Sequence, residues 1–272
     1  MSVIETNTAI SRKGLHRSRP TRPVGAEDRK RAYRRSTLSY GNLDFADKRV
    51  VLVGSGTSML GTGLGTQIDE FDTVIRFREA DHHIEEFKED CGTKTDILVA
   101  NGEPSAATRF NEGLKAGDYP RLKGVLFSNA PTYRSPTLMG LPPRNPRKDG
   151  KSYRRMGARF QAREALYQTL MELHIPFKIV SSAKHVYRHP LVKRRTFAAT
   201  AGFGMLFYLS TMGCKEIAIC GYDRLYDIHD NKHYYPVANP FYNTSLSRHH
   251  NLDKEEPYIR KLIKTDNRVH ML

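Results

Sequence analysis

The sequence predicts an α/β fold in which one mainly parallel β-sheet is covered by helices on both faces. Two observations predict it. Short runs rich in β-branched and apolar residues recur along the chain, and segments with helical spacing of apolar residues lie between them. Strands that alternate with helices form a parallel sheet that is buried on both sides. The composition, with 39% hydrophobic and 27% charged residues, is that of an ordinary globular protein.

The predicted elements follow one another from about residue 48 onward. The strands are Arg49–Gly54, Thr73–Phe77, Thr95–Ala100, Gly124–Ser128, Phe177–Ser181 and Glu216–Gly221. The helices are Arg159–Leu173, Ala201–Met212 and Glu255–Ile263. We interpret them as a single Rossmann-like domain, whose ligand is expected at the carboxyl ends of the strands.

One segment has nearly the length of a membrane span. Residues 196–214 form a run of 19 without a charged side chain, close to the ~20 residues that cross a bilayer. Threonine, serine and glycine dilute this run, and no tryptophan or tyrosine belt flanks it. We therefore predict a buried helix here.

The first 46 residues have a different composition. Ten lysines and arginines lie between Arg12 and Arg35, against two acidic residues. Since the segment also lacks apolar periodicity, we predict a disordered basic arm over residues 1–46 and a folded domain over 47–272. No apolar run indicates a signal peptide or an N-terminal anchor.

The charge and the cysteines restrict the partners and the compartment. A net charge of +15 predicts an anionic partner, which leaves nucleic acid, lipid headgroups, nucleotides and acidic glycans open. Three cysteines, Cys91, Cys214 and Cys220, exclude a disulfide framework and indicate a reducing compartment.

A glycine-rich turn follows the first predicted strand. It reads Gly54-Ser-Gly-Thr-Ser-Met-Leu-Gly61-Thr-Gly63-Leu-Gly65. Such a turn brings backbone N–H groups close to a phosphate. The dinucleotide pattern GxGxxG fails because Met59 stands at the third glycine, and the Gly-Lys-Ser/Thr of a P-loop is absent. A nucleotide site of another type is favoured over a purely structural turn.

Four further patterns lie between Val50 and Glu255. The first comprises Val53–Gly65, Ile68–Arg76 and Gly92–Thr95, the second Thr200–Gly202, Cys214 and Ile219–Tyr222, the third His233–Tyr235, and the fourth His250 and Glu255. They resemble, in the same order, the large, small, third and very short motifs of the sialyltransferases, glycosyltransferase family 29. Each match is weak alone, but the ordered set is specific.

The resemblance implies a fold of the GT-A-like type and an inverting, metal-independent transfer of sialic acid. The donor is CMP-activated, the acceptor is a glycan hydroxyl, and no cofactor is needed. It implies that His250 is the general base and that Glu255 orients it or caps a helix. It also implies that His233, supported by the hydroxyl of Tyr234 or Tyr235, lies near the phosphate and neutralises the departing anion.

The resemblance also implies a set of donor-binding residues. These are Gly54, Ser55, Gly56, Thr57, Arg78, Asn101, Thr200, Ala201 and Gly202. Three positions depart from the family pattern: Val50 replaces a cysteine, Arg78 replaces an asparagine, and Ala201 replaces a serine or threonine. The first leaves Cys214 without the disulfide partner of animal members, and the second leaves the identity of the donor open.

Several alternatives stay open at this stage. The histidines show no zinc-module spacing and no Asp-x-Asp triplet occurs, so we expect no metal. A transferase of the same family that uses CMP-Kdo, and an inactive relative that only binds CMP, fit the same motifs. A basic nucleic-acid-binding protein fits the charge, although we consider it the weaker reading. We expect a cytoplasmic or peripheral membrane location with contact to anionic lipid through the arm, and a Golgi location only if an anchor lies outside this chain.

Overall fold

The computed structural model describes residues 39–77, 84–100, 104–128, 165–180, 200–228 and 252–272. In this part of the chain eight strands form one sheet. They are β1 (Ser39–Tyr40), β2 (Arg49–Val53), β3 (Thr73–Phe77), β4 (Ile97–Ala100), β5 (Gly124–Phe127), β6 (Phe177–Ile179), β7 (Glu216–Cys220) and β8 (Val269–Met271).

The order of strands across the sheet is β1-β6-β5-β4-β3-β2-β7-β8. Every neighbouring pair is parallel except β1 and β6, which pair antiparallel at one edge. From β2 the chain moves outward through β3 to β6 and then returns to β7 on the other side of β2. The pair β2/β7 is therefore a topological switch point, where open α/β sheets bind their ligands beyond the carboxyl ends of the strands.

Helices cover both faces of the sheet. They are α1 (Gly65–Asp69), α2 (Lys88–Cys91), α3 (Pro104–Ala116), α4 (165–172), α5 (Ala201–Leu209) and α6 (Leu252–Thr265), with 3₁₀ turns at Thr57–Met59 and Asp223–Tyr226. Alternate residues of β2 point to opposite faces: Val50 and Leu52 join the core beneath α5 and α6, while Val51 and Val53 join the core beneath α1. The core beneath α3 and α4 extends that second face. The predicted α/β class is confirmed.

The uncharged segment near residue 200 forms a buried helix. All residues of α5 from Phe203 to Leu209 are buried, which explains why this stretch carries no charge. In the described part of the chain we find no helix whose length and hydropathy would let it cross a membrane.

The sheet begins before the predicted domain boundary at residue 46. Tyr40 of β1 pairs with Phe177 of β6, and Phe45 is buried against the ring of Tyr208. Residues 39–46 therefore belong to the fold, and only residues 1–38 of the predicted arm lie outside the described residues.

The three cysteines, Cys91, Cys214 and Cys220, are free and buried. Burial raises the pKa of Cys214 to about 11 and that of Cys220 to about 12. Thiols with such pKa values are poor nucleophiles at neutral pH, so they act here as small apolar residues.

Candidate active site

The glycine turn after β2 is held against the segment that follows β7. The N–H of Gly54 donates to the carbonyl of Cys220 at 2.8 Å, and the N–H of Gly56 donates to the carbonyl of Gly221 at 3.0 Å. The approach is so close that a Cβ atom at Gly54 would lie 2.3 Å from the Gly221 oxygen. Glycine is required at Gly54 because two backbone segments meet there.

The side chain of Asp223, three residues after β7, binds backbone N–H groups of the same turn. Its two carboxylate oxygens accept the N–H groups of Thr57, at 3.1 Å, and of Ser58, at 2.9 Å. A Cβ atom at Gly56 would lie 2.0 Å from the Asp223 Oδ1 atom. The backbone N–H groups of Gly56 and Thr57, which we expected to face the donor, are thus already paired inside the protein.

The second part of the site is the start of α5. Thr200 caps this helix, because its Oγ1 atom accepts the N–H of Phe203 at 3.1 Å. Ala201 and Gly202 form the first helical positions. The hydroxyl of Tyr222 donates to the carbonyl of Gly202 at 3.1 Å. The segment from Gly221 to Asp223 therefore touches both the glycine turn and the start of α5, and brings the two together at the switch point.

Glu255 connects the start of α5 to α6. Its side chain is 2% exposed, and both of its oxygens face Thr200. The N–H of Thr200 donates to Oε1 at 2.6 Å and its hydroxyl donates to Oε2 at 2.7 Å. Burial raises the pKa of Glu255 to about 7, against a smaller lowering by these two hydrogen bonds.

Helix α6 is also fixed to the 3₁₀ turn after β7. The guanidinium of Arg224 pairs with Asp253 at 3.2 Å. Arg260 donates to the carbonyl oxygens of Arg224 and Leu225, at 3.3 and 3.2 Å. The glycine turn, the start of α5 and the start of α6 are consequently one connected unit at the carboxyl edge of the sheet.

Comparison with known proteins shows the family of the chain. The family model for glycosyltransferase family 29 (sialyltransferase) matches residues 44–267, which include the glycine turn, the start of α5 and the start of α6. The chain belongs to glycosyltransferase family 29.

Relatives of this family 29 chain are found among curated proteins and solved structures. Over 229 residues it is 26% identical to the CMP-N-acetylneuraminate-beta-1,4-galactoside alpha-2,3-sialyltransferase of Rattus norvegicus, and 25% identical to that of Homo sapiens. Each alignment covers 80% of this chain and 55% of the relative, so the chain spans about half the length of the curated relatives that it matches.

A crystal structure of a mammalian sialyltransferase has the same fold. It superimposes with a TM-score of 0.50 at 16% identity, and the match covers 93% of this chain and 81% of the other. At this identity the likeness concerns the fold alone.

Five of the predicted site residues lie outside the described residues: Arg78, Asn101, His233, Tyr234 and His250. Their roles stay predictions. In the sequence, Arg78 and Asn101 directly follow β3 and β4, and His250 precedes α6 by two positions. The structure describes the other predicted site residues. Gly54, Ser55, Gly56 and Thr57 lie in the glycine turn, Thr200, Ala201 and Gly202 lie at the start of α5, and Glu255 lies in α6.

Two features of this family 29 site were not predicted. The first is the contact of Glu255 with Thr200, since we expected Glu255 to orient His250 or to cap a helix without knowing which residue it would contact. The second is Asp223, whose sequence signal is a carboxylate two positions after Gly221, just beyond the strand that ends at Cys220. Among the described residues, no group of three His, Cys, Asp or Glu side chains is arranged to hold a metal ion.

Proposed function

We propose that the chain is a sialyltransferase that moves sialic acid from CMP-sialic acid to a glycan hydroxyl, with inversion at the anomeric carbon and without a metal. The observation that carries this proposal is the family match over residues 44–267. The names of the curated relatives, which specify CMP-N-acetylneuraminate as donor and a galactoside as acceptor, support the choice of substrates.

The geometry at the switch point supports a nucleotide site there. The glycine turn and the start of α5 meet through Tyr222 and Asp223, at the sheet edge where α/β folds hold nucleotides. We propose that this is the cytidylate pocket of a GT-A-like variant of the Rossmann-like sheet. Ser55, Arg78, Asn101 and the residues Thr200–Gly202 are its proposed donor contacts, while Gly54, Gly56 and Thr57 give the turn its shape.

The proposed chemistry requires two groups. A base must remove the proton of the acceptor hydroxyl, and a donor must neutralise the charge that develops on the departing CMP phosphate. We assign the base to His250, as its match to the very short motif of the family implies. An imidazole with an ordinary pKa near 6.5 is mostly neutral at pH 7, which a base requires. We assign stabilisation of the leaving phosphate to His233 with the help of Tyr234.

Of the two roles expected for Glu255, the proposal takes the one at a helix terminus, because the carboxylate faces Thr200 at the start of α5. Its two hydrogen bonds to Thr200 hold the start of α5 at a fixed position relative to α6. His250 lies two residues before α6 in the sequence. We therefore propose that Glu255 positions the donor side of the site relative to the segment that supplies the base.

The first experiment is a calorimetric titration with CMP, UMP, GDP and NAD in the presence of EDTA. The proposal predicts that CMP binds and that the other three bind at least tenfold more weakly. Equal affinity for all four, or no binding of CMP, would contradict it.

A second assay separates the two donors that the motifs allow. Release of CMP from CMP-sialic acid and from CMP-Kdo is measured under the same conditions. The proposal predicts faster turnover of CMP-sialic acid, whereas a preference for CMP-Kdo would assign the chain to the other donor of the family.

A further inference from the structure

Five N–H groups at the start of the glycine turn donate to acceptors within the chain. Those of Gly54 and Gly56 bond to carbonyl oxygens after β7, and that of Met59 bonds to the carbonyl of Gly56 at 3.3 Å. Those of Thr57 and Ser58 bond to Asp223. A turn of this composition, with its N–H groups free, would cradle a phosphate. Here a carboxylate of the protein stands where such an anion would accept the two N–H groups.

The Asp223 carboxylate is held firmly in this position. Each of its oxygens accepts one of two successive N–H groups, and the missing side chain of Gly56 leaves the space that Oδ1 fills. No lysine, arginine or histidine pairs with Asp223 among the residues that the structure describes. Its negative charge is therefore compensated there by backbone dipoles, and a second anion at the turn would be repelled by it.

We propose that Asp223 is a specificity-determining residue of the donor site, which keeps the glycine turn closed and disfavours nucleotides that carry a second phosphate. The inference rests on the proposed function, because it assumes that a cytidine nucleotide binds at this edge. In a CMP-sugar the only phosphate is a singly charged diester. A nucleoside diphosphate would bring additional negative charge to an edge that already holds a fixed carboxylate.

The test compares the affinities of CMP and CDP, measured by calorimetry in EDTA, for the wild type and for Asp223→Asn and Asp223→Ala. Asparagine keeps the size of the side chain and one acceptor oxygen, so this variant removes the charge with little change of shape. We expect the wild type to bind CMP more tightly than CDP. Both variants should reduce the ratio of the CDP to the CMP dissociation constant about tenfold, because one negative charge is removed from a partly solvated site.

The matched control is Asp69→Asn. Asp69 likewise accepts two successive backbone N–H groups, those of Thr93 at 2.8 Å and Lys94 at 2.9 Å. Asp69 precedes β3, and Thr93 and Lys94 precede β4. They therefore lie at the amino edge of the sheet, opposite the edge that holds the proposed donor site. This variant should keep the wild-type ratio of the two dissociation constants even if its thermal stability falls.

The outcomes separate the two proposals. A wild type that binds neither nucleotide contradicts the proposed function. A wild type that binds CMP without preferring it to CDP contradicts the role of Asp223. The role of Asp223 is also contradicted if the folded Asp223→Asn variant keeps the wild-type ratio of the CDP to the CMP dissociation constant. It is contradicted as well if Asp69→Asn changes this ratio as much as Asp223→Asn does.

Discussion

Glu255 carries a carboxylate that is almost completely removed from solvent and faces two donors of a single residue, Thr200. Burial disfavours the charged form, so the pKa of the group lies at about 7 in the folded protein, well above the ordinary value near 4.5. The free energy of unfolding must therefore depend on pH in the range between these two values.

The sign of this dependence provides the first prediction. Between pH 4.5 and 7 the unfolded chain has released the proton of Glu255 while the folded chain retains it, so a rise in pH favours unfolding. The stability of the wild type should fall relative to Glu255→Gln over this range, by at most about 1.4 kcal/mol per pH unit, and the difference should be constant above pH 8. Urea unfolding at several pH values measures it.

The neighbouring Glu256 supplies the control. It pairs with Arg260 along α6, so Glu256→Gln removes one carboxylate from the same helix and should leave the dependence due to Glu255 in place. A pH-independent difference between the wild type and Glu255→Gln would contradict the burial of Glu255.

Thr200 provides a second prediction. Valine has nearly the same shape but lacks the hydroxyl that caps α5 and donates to Glu255, so Thr200→Val should lower the free energy of unfolding by about 1–2 kcal/mol. Thr200→Ser retains the hydroxyl and should differ from the wild type by less than about 0.5 kcal/mol. Equal losses in the two variants would show that the hydroxyl makes no contribution.

At the scale of elements, the contact between the turn after β2 and the turn after β7 is made by backbone atoms. Gly54 lies against the carbonyl of Gly221, where neither segment can move without disturbing its strand. This contact joins the two strands on either side of the switch point beyond their ladder of hydrogen bonds. A side chain at Gly54 would separate them.

A third prediction follows from this contact. Gly54→Ala should cost about 3 kcal/mol or more, because the added methyl group meets backbone rather than a flexible side chain. Gly61→Ala is the matched control: its φ is +74° and no atom lies within 4 Å of the added Cβ, so only the backbone conformation opposes it, at about 1 kcal/mol. Thermal or urea unfolding compares the two, and similar losses would contradict the close approach.

The elements differ in how well the sequence predicts them. The central strands are recognisable because parallel strands that are buried on both faces are short apolar runs. The edge strands β1 and β8 have only two and three residues, which leaves no pattern to detect. Helix α3 was missed although Ala107, Phe110 and Leu114, spaced three and four residues apart, form its buried face.

At the scale of the whole molecule, topology brings the site together. The parallel arrangement places the glycine turn after β2 and the segment after β7 at one edge, as the alternation of strands and helices predicts. The hydrogen bonds that Thr57 donates to Asp223 and Thr200 donates to Glu255 join residues 166 and 55 positions apart. No local pattern encodes such pairs, so the motifs indicated that Glu255 matters but not which residue it contacts.

At the scale of the whole molecule, we propose that the CMP group of a donor bound at this edge departs as His250 removes the proton of the acceptor hydroxyl. Loss of a general base lowers turnover by about 10²–10⁴-fold without abolishing donor binding. Turnover and CMP affinity therefore have to be measured on the same variant, His250→Ala.

The most direct measurement is transfer from CMP-sialic acid, in EDTA, to a panel of glycans that includes β-1,4-galactosides. We predict that the wild type forms sialylated product, and that His250→Ala loses at least about 100-fold in kcat while its CMP dissociation constant stays within about threefold. A wild type without transfer to any acceptor, or a His250→Ala variant with wild-type turnover, would contradict the account.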